Sequence, residues 1–155
     1  MKSDTVCSCG LDSAEECERI FHSILLKDFS DFSCAKVHRL TVDAYSLQHP
    51  DVYMISSKSF AAHLTGICCA MEYGNDPELF RLLQKWLNRK KQIPRPENLE
   101  NFGNLTIAHV SQAKSGPEHV DLVWEWARDV WEAYRPYRGL AMKWIESVKQ
   151  NSSDD

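Results

Sequence analysis

The sequence predicts an all-α protein, a single-domain bundle of about four long helices plus short ones over residues 1–150. Three observations support this. Apolar residues recur at helical spacing in several segments, capping residues precede those segments, and no segment alternates between polar and apolar residues as a strand does. The chain of 155 residues is long enough for one domain with its own core. We expect residues 151–155 to form a disordered tail.

A capping box and a proline define the first two predicted helices. Ser13 and Glu16 have the spacing of a capping box, which opens the first helix. A polar turn follows, and a second helix spans about residues 34–48. This helix should end near His49, because the residue before Pro50 disfavours helical geometry.

The next two helices are also bounded by capping residues. Ser56 or Ser57 caps the third helix, and Gly74 ends it. Asp76 caps the fourth helix, with Pro77 at the first helical position, where a missing N–H does no harm.

A long irregular segment separates the fourth helix from the rest. Residues 92–104 hold two prolines and a glycine without any periodicity, so we expect a loop. A loop of this length in a compact domain often has a function or covers something. Thr106 then caps a short helix.

The last helical region begins at Gly116, and Pro136 should break or kink it. Trp124 and Trp131 are seven residues apart and share the face predicted to be buried. Trp126 lies off that face, where it could pack under the long loop or line a pocket.

Charge and hydropathy exclude several classes of function. The formal net charge of −4 gives no general attraction to nucleic acid. No apolar run approaches the roughly 20 residues of a membrane helix. The N-terminus lacks the apolar core of a secretory signal, so we expect a cytoplasmic protein without disulfides. The expected partner is a small molecule or another protein.

The six cysteines fall into two groups. Cys34, Cys68 and Cys69 lie on predicted helices, where buried cysteine packs as a small apolar residue. Cys7 and Cys9 lie in a polar turn that contains glycine, a setting that favours metal or redox chemistry.

The stretch "VHRLTVDAYSLQHP" carries His38 and His49, which are too far apart to bind one ion, at about 16 Å along a helix. If the first two helices form an antiparallel hairpin, His49 comes close to Cys17 and to the turn of Cys7 and Cys9. Three cysteines and one histidine are a common ligand set for structural zinc. A redox-active thiol pair and ordinary cysteines are the alternatives. We expect His38 to be satisfied by a hydrogen bond, although a second metal site there is conceivable.

A metal-assisted or acid–base enzyme is the first alternative function, centred on Asp43, Tyr45, His49 and His63. In a helical hairpin His63 comes near Asp43, and such a pair could be a general base with the carboxylate that orients it. Asp43, Tyr45 and His63 are therefore the candidate catalytic residues. A buried polar network that fixes the helix register uses the same residues equally well.

An interaction module is the second alternative. Arg81, Lys85 and Arg89 form a stripe on the fourth helix, and the basic residues continue through Lys90, Lys91 and Arg95. Such a stripe could meet an anionic partner. A solvated helix face is the simpler interpretation.

Five segments together resemble a known family: "CSCG", "HRLTVDAYSLQHP", "SKSFAAHLTGIC", "GNLTIAHV" and "WARDVWEAY". They are similar to a family of small uncharacterised, mainly bacterial proteins catalogued as a domain of unknown function. The resemblance implies that the polar residues of the "HRLTVDAYSLQHP" stretch are a family signature, and it implies no reaction or substrate. Two features depart from the family pattern. Val6 stands where the family has its first cysteine, and Tyr137 and Arg138 replace a His-His pair.

The leading hypothesis from the sequence is thus a small cytoplasmic helical protein with a zinc site near its N-terminus. Its ligands would be Cys7, Cys9, Cys17 and His49, and its role would be structural or in binding.

Overall fold

The computed structural model describes residues 5–90 and 92–152, which form nine helices and no strand. The all-α prediction is confirmed for this part of the chain. The helices are α1 (Ala14–Ser30), α2 (Phe32–Ala35), α3 (His38–Gln48), α4 (Pro50–Tyr53), α5 (Ser57–Glu72), α6 (Pro77–Arg89), α7 (Ile107–Val110), α8 (Gly116–Ala133) and α9 (Arg135–Ser152).

The predicted caps form. The hydroxyl of Ser13 accepts a hydrogen bond from the backbone N–H of Glu16 at the start of α1. The side chains of Ser56, Asp76 and Thr106 cap α5, α6 and α7 in the same way. Local sequence therefore fixes where these helices begin.

The prediction of one helix over residues 34–48 is wrong, because the chain breaks between α2 and α3 at residues 36 and 37. Asp31 opens α2 as a second cap by accepting from the N–H of Ser33. The short α2 packs on α1 and α8, whereas α3 runs between α5 and α8. Because α2 and α3 pack against different helices, tertiary contacts override the helical propensity of the segment.

The core is centred on α3 and α5, which pack along each other, with α8 crossing both and α9 and α6 outside α5. Cys34, Cys68 and Cys69 are fully buried, as predicted. Trp131 is buried too, but Trp124 is only partly buried, and Trp126 instead lies in the core. Trp126 shares the buried face of α8 with Val123 and Val130. Its indole N–H donates to the buried Gln48 carboxamide over 3.0 Å.

Gln48 also anchors the irregular segment after α6. Its amide nitrogen donates to the carbonyls of Phe102 and Leu105 over 2.9 and 2.8 Å. The carboxylate of Asp129 accepts from the backbone N–H groups of Asn104 and Leu105. The loop is therefore held against the end of α3, where the candidate site lies.

The predicted tail begins inside a helix. Residues 151 and 152 are the last two of α9, and residues 153–155 lie outside the described part. Within that part, no helix has the length and apolar character needed to cross a membrane.

Candidate metal centre

Four candidate ligands from three parts of the chain meet beside the start of α1. Cys7 and Cys9 come from the N-terminal turn, Cys17 from α1, and His49 from the residue that ends α3. One ligand atom of each lies within 4.8 Å of the others, and all four residues are buried. The structure therefore brings together the four residues that the sequence predicted.

The N-terminal turn directs both of its thiols inward. The N–H of Gly10 donates to the carbonyl of Cys7 over 2.9 Å, and the N–H of Cys7 donates to the carbonyl of Leu11 over 2.8 Å. Gly10 has a φ of 103°, which glycine adopts without a steric penalty. A tight turn between Cys7 and Leu11 results, with its cysteines facing α1 and α3.

His49 is oriented by a backbone carbonyl. Its Nδ1 lies 2.6 Å from the carbonyl oxygen of Tyr45 and donates to it, because that oxygen can only accept. In the neutral ring, Nε2 is then a free lone pair. This Nε2 lies 3.0 Å from the sulfur of Cys7 and 3.4 Å from that of Cys17.

Two of the separations between ligand atoms match those around a tetrahedral ion, and a third is shorter. With Zn–S near 2.3 Å and Zn–N near 2.0–2.1 Å, a tetrahedron places sulfurs about 3.7 Å apart and sulfur about 3.5 Å from nitrogen. The sulfurs of Cys9 and Cys17 are 3.7 Å apart. Cys17 lies 3.4 Å and Cys7 lies 3.0 Å from Nε2 of His49. The sulfur of Cys7 would have to move about 0.5 Å away from Nε2 to reach the tetrahedral separation.

Tyr45 packs between the cluster and α1. Its ring stacks on Phe21 and on His49, with ring centroids 3.7 and 3.9 Å away. Its hydroxyl lies 3.5 Å from the sulfur of Cys17. Burial raises the pKa of Tyr45, so the phenol keeps its proton and can donate to a thiolate.

Without a cation, the cluster favours protonated thiols. The hydrogen bond to Cys17, together with burial, raises the pKa of Cys9 to about 12. Burial also raises the pKa of Cys7. A divalent metal reverses this tendency, because a coordinating thiol loses its proton outright.

Asp43 and His63 form a separate polar pair between α3 and α5. Nδ1 of His63 lies 2.9 Å from Oδ1 of Asp43, and Arg39 lies 3.6 Å from Oδ2. Burial raises the pKa of Asp43, against the hydrogen bond from His63 and the charge of Arg39. The four residues of the predicted enzyme centre thus divide into two groups. Tyr45 and His49 belong to the thiol cluster, and Asp43 and His63 form their own pair.

A third polar cluster was missed from the sequence. The fully buried carboxylate of Asp28 accepts from Nδ1 of His38 over 3.1 Å and from Nε2 of His119 over 3.0 Å. His38 is therefore satisfied by a hydrogen bond, as expected. The i, i+4 position of Asp28 after the buried Ile24 was the available signal, because it placed a carboxylate on the apolar face of α1.

The predicted basic stripe is partly dispersed. Arg81 pairs with Glu78 on the surface of α6. Lys85 and Arg89 line an open cleft beside α9, and residue 91 lies outside the described part. Arg95 does not continue the stripe. Its guanidinium packs over the ring of Phe60, 4.7 Å from the centroid, and donates to a backbone carbonyl at the end of α4.

Comparison with known proteins finds one family. Residues 4–135 match a family of unknown function, DUF5946. No curated protein and no solved structure matches the chain.

Proposed function

The chain belongs to DUF5946, a family of unknown function, and we propose that it binds one zinc ion through Cys7, Cys9, Cys17 and His49. The ion would join the N-terminal turn to α1 and to the end of α3. The role of the site would be structural or in binding, in a cytoplasmic protein.

One observation carries the proposal most directly. Nδ1 of His49 is committed to the carbonyl of Tyr45, which leaves Nε2 facing the thiols of Cys7 and Cys17. Metal-bound histidines have this arrangement. An oxygen atom accepts from the ring nitrogen that does not bind the metal, and this hydrogen bond fixes the orientation of the ring and its tautomer. Thiolate and imidazole ligands select zinc over magnesium or calcium.

A closed site supports structure rather than catalysis. Four protein ligands fill a tetrahedral zinc ion, whereas catalytic zinc usually keeps one position for water or substrate. Each of the four residues here exposes 7% of its surface or less. An ion with this ligand set would have no room for substrate.

Metal analysis tests the proposal. Protein purified without chelator should contain about one equivalent of zinc, measured by plasma mass spectrometry against protein concentration. A content below about 0.3 equivalents, with no uptake when zinc is added to reduced protein, would refute zinc binding.

Cobalt substitution tests whether the site is closed. Cobalt(II) in a tetrahedral sulfur-rich site absorbs visible light, and its spectrum should not change when azide is added. A spectrum that responds to azide would show an open coordination position, and the structural role would then be wrong.

The Asp43–His63 pair favours a second candidate function, acid–base catalysis. A carboxylate 2.9 Å from Nδ1 orients the ring and leaves Nε2 as a base. The side chain of His63 is 19% exposed, so part of it is open to solvent. Tyr45 lies with the thiols, so it would assist only through the metal cluster. This candidate requires an activity that His63→Gln abolishes while zinc content stays unchanged.

A further inference from the structure

The cleft between α6 and α9 combines an apolar floor with a basic wall. It has a volume of about 370 Å³, which lies in the range of small-molecule sites, about 300–1,000 Å³. Leu82 and Trp86 of α6 and Val148 of α9 line it and supply apolar surface. Trp86 is only partly buried, so its indole adds aromatic surface to the cleft.

The α6 wall of this cleft carries three positive charges. Lys85, Arg89 and Lys90 all line it, and all three are exposed. Lys85 and Arg89 are one turn apart, at about 6 Å along one face of the helix, and Lys90 follows directly. None of the three lies within ion-pair distance of a carboxylate among residues 5–90 and 92–152.

These charges are not offset inside the cleft. The α9 wall is neutral at Ser147 and Asn151, and no carboxylate from the described part of the chain lines the cleft. The cleft beside α1 differs, because Glu16 lines it and pairs with Arg19. Cations at the end of α6 also complement its helix dipole, but that dipole amounts to only about half an elementary charge. Most of the positive charge on the wall is therefore available to a ligand.

We propose that this cleft binds a nucleoside diphosphate. The diphosphate lies against the wall of Lys85, Arg89 and Lys90, since lysine and arginine are the side chains that bind phosphate oxygens through charge-assisted hydrogen bonds. Its terminal phosphate carries about −1.5 to −2 charges at neutral pH, and the inner phosphate adds another. The base lies over the apolar floor, where it meets the indole of Trp86, because bases stack on aromatic side chains.

An acidic peptide fits this wall less well. Successive side chains of an extended peptide point to opposite sides, so carboxylates that face one wall are about 7 Å apart. The wall instead concentrates its three charges over about one helical turn, and Arg89 and Lys90 are adjacent in the chain. A compact polyanion can meet all three at once.

The site is independent of zinc, because none of the four proposed metal ligands lines the cleft. Loss of either proposal would therefore leave the other standing.

Calorimetric titration with ADP, GDP, CDP and UDP tests the proposal on the full-length protein. The comparison ligands are the uncharged nucleosides and inorganic pyrophosphate, which separate the base from the charge. We expect at least one nucleoside diphosphate to bind with a dissociation constant below about 1 mM. Its nucleoside and pyrophosphate should each bind at least about fivefold more weakly. The proposal is overturned if no nucleoside diphosphate binds saturably, or if pyrophosphate, the nucleoside or a hexaglutamate peptide binds as tightly.

Matched variants locate the site. Lys85→Gln and Arg89→Gln should each weaken binding about threefold, and the double variant about tenfold, because both charges are exposed to solvent. Lys143→Gln removes an exposed lysine of α9 that does not line the cleft, so it should leave binding unchanged. Equal effects of the double variant and Lys143→Gln would show that the cleft is not the site.

The indole N–H signals in a ¹H–¹⁵N spectrum give a second measurement of the location. The signal of Trp86, assigned by its loss in Trp86→Phe, should shift saturably with the ligand. Trp126 is fully buried and bonded to Gln48, so its signal should stay in place. An unchanged Trp86 signal at saturating ligand would place binding elsewhere on the protein and overturn the proposal.

Discussion

The two ends of α3 each hold a histidine by its Nδ1, but the two oxygens that hold them differ. At the start of the helix, the carboxylate of Asp28 accepts from His38, 3.1 Å away, and also from His119. At its end, a neutral backbone carbonyl accepts from His49, and the other ring nitrogen faces two thiols. A carboxylate and two imidazoles can balance one another's charge and satisfy one another's hydrogen bonds. The three thiols and Nε2 of His49, in contrast, can still act as ligands to a metal ion.

This difference indicates which end of α3 could hold a cation. In the Asp28 cluster, both carboxylate oxygens accept hydrogen bonds from histidines of the protein. Nδ1 of His119 is the ring nitrogen there that has no hydrogen-bond partner among the described residues. The thiol cluster has four ligand atoms within 4.8 Å of one another, and no charged group among them. The histidines at the two ends of one helix can therefore have unrelated roles, which their partners determine and their spacing alone does not.

Loss of a metal ligand should have the largest effect. Cys17→Ser should abolish stoichiometric zinc binding and lower the melting temperature by about 10 °C or more, because the binding free energy of a structural ion contributes to folding. Zinc content and thermal unfolding are measured on the same sample.

Cys34→Ser is the matched control, since Cys34 is equally buried and lies outside the cluster. It should keep one equivalent of zinc and lose only the roughly 1–2 kcal/mol of burying a hydroxyl. Equal zinc content in both variants would remove the distinction between the two ends of α3.

The sequence alone predicted the His49 end well and the His38 end poorly. Cys17, His49 and the N-terminal turn converge through a hairpin of neighbouring helices, so local caps and one proline were enough to place them. His119 lies 91 residues from Asp28, and no periodicity connects them. The break at residues 36 and 37 was missed for a related reason, since it depends on α8 packing against α2.

Tryptophans show the same limit. Helical periodicity placed Trp124 with Trp131 in the core, yet Trp126 is the fully buried residue, on the face that it shares with Val123 and Val130. The buried face of α8 is rotated from the predicted one, and the packing of α8 on α2, α3 and α7 that sets this rotation is not contained in the sequence of α8 alone.

The second prediction concerns the opposite end of α3. Asp28→Asn replaces a carboxylate that accepts from two imidazoles with an amide that has only one acceptor atom. One histidine then faces an N–H₂ group, and we expect a loss of about 3 kcal/mol in the free energy of unfolding. Urea unfolding gives the magnitude. Zinc content should stay at one equivalent, which separates the two ends.

Asp121→Asn changes an exposed aspartate on α8 and serves as the control, with an expected effect within about 0.5 kcal/mol. If Asp28→Asn is equally mild, the buried carboxylate does not hold the two imidazoles in solution.

The third prediction concerns the middle of α3, where Asp43 lies against α5. A Cβ at Gly66 would come within 2.2 Å of Oδ2 of Asp43, so Gly66→Ala should cost about 2–3 kcal/mol through forced displacement of that carboxylate. Chemical denaturation of single and double variants measures the coupling. In an Asp43→Ala background the penalty should largely disappear, because the clashing atoms are gone.

Gly139→Ala is the control for Gly66→Ala. It also lies within a helix, α9, and an added Cβ there meets nothing within 4 Å. It should be neutral or stabilising by up to about 1 kcal/mol. A penalty at Gly66 that persists without Asp43 would place the close contact elsewhere.

The smallest effect tests what burial alone does to a thiol that has no ligand role. Burial raises the pKa of Cys68 to about 12, above the ordinary value near 8.5. Between about pH 8.5 and 12, the folded protein keeps the proton of Cys68, whereas the unfolded protein releases it. The contribution of this thiol to stability is therefore fully present below about pH 8.5. It is lost as the pH rises toward 12. Between pH 7.5 and 10 the loss should reach about 2 kcal/mol, and Cys68→Ala should remove it.

Unfolding free energies of wild type and Cys68→Ala at both pH values give this difference directly. Ile67→Val, a neighbouring core substitution without a titrating group, should change stability equally at the two pH values. A thiol at the His49 end should behave oppositely when zinc is bound, because the ion keeps it ionised at neutral pH. If Cys68→Ala leaves the alkaline loss intact, burial does not hold the proton on Cys68, and the same argument for the metal-free thiol of Cys7 fails with it.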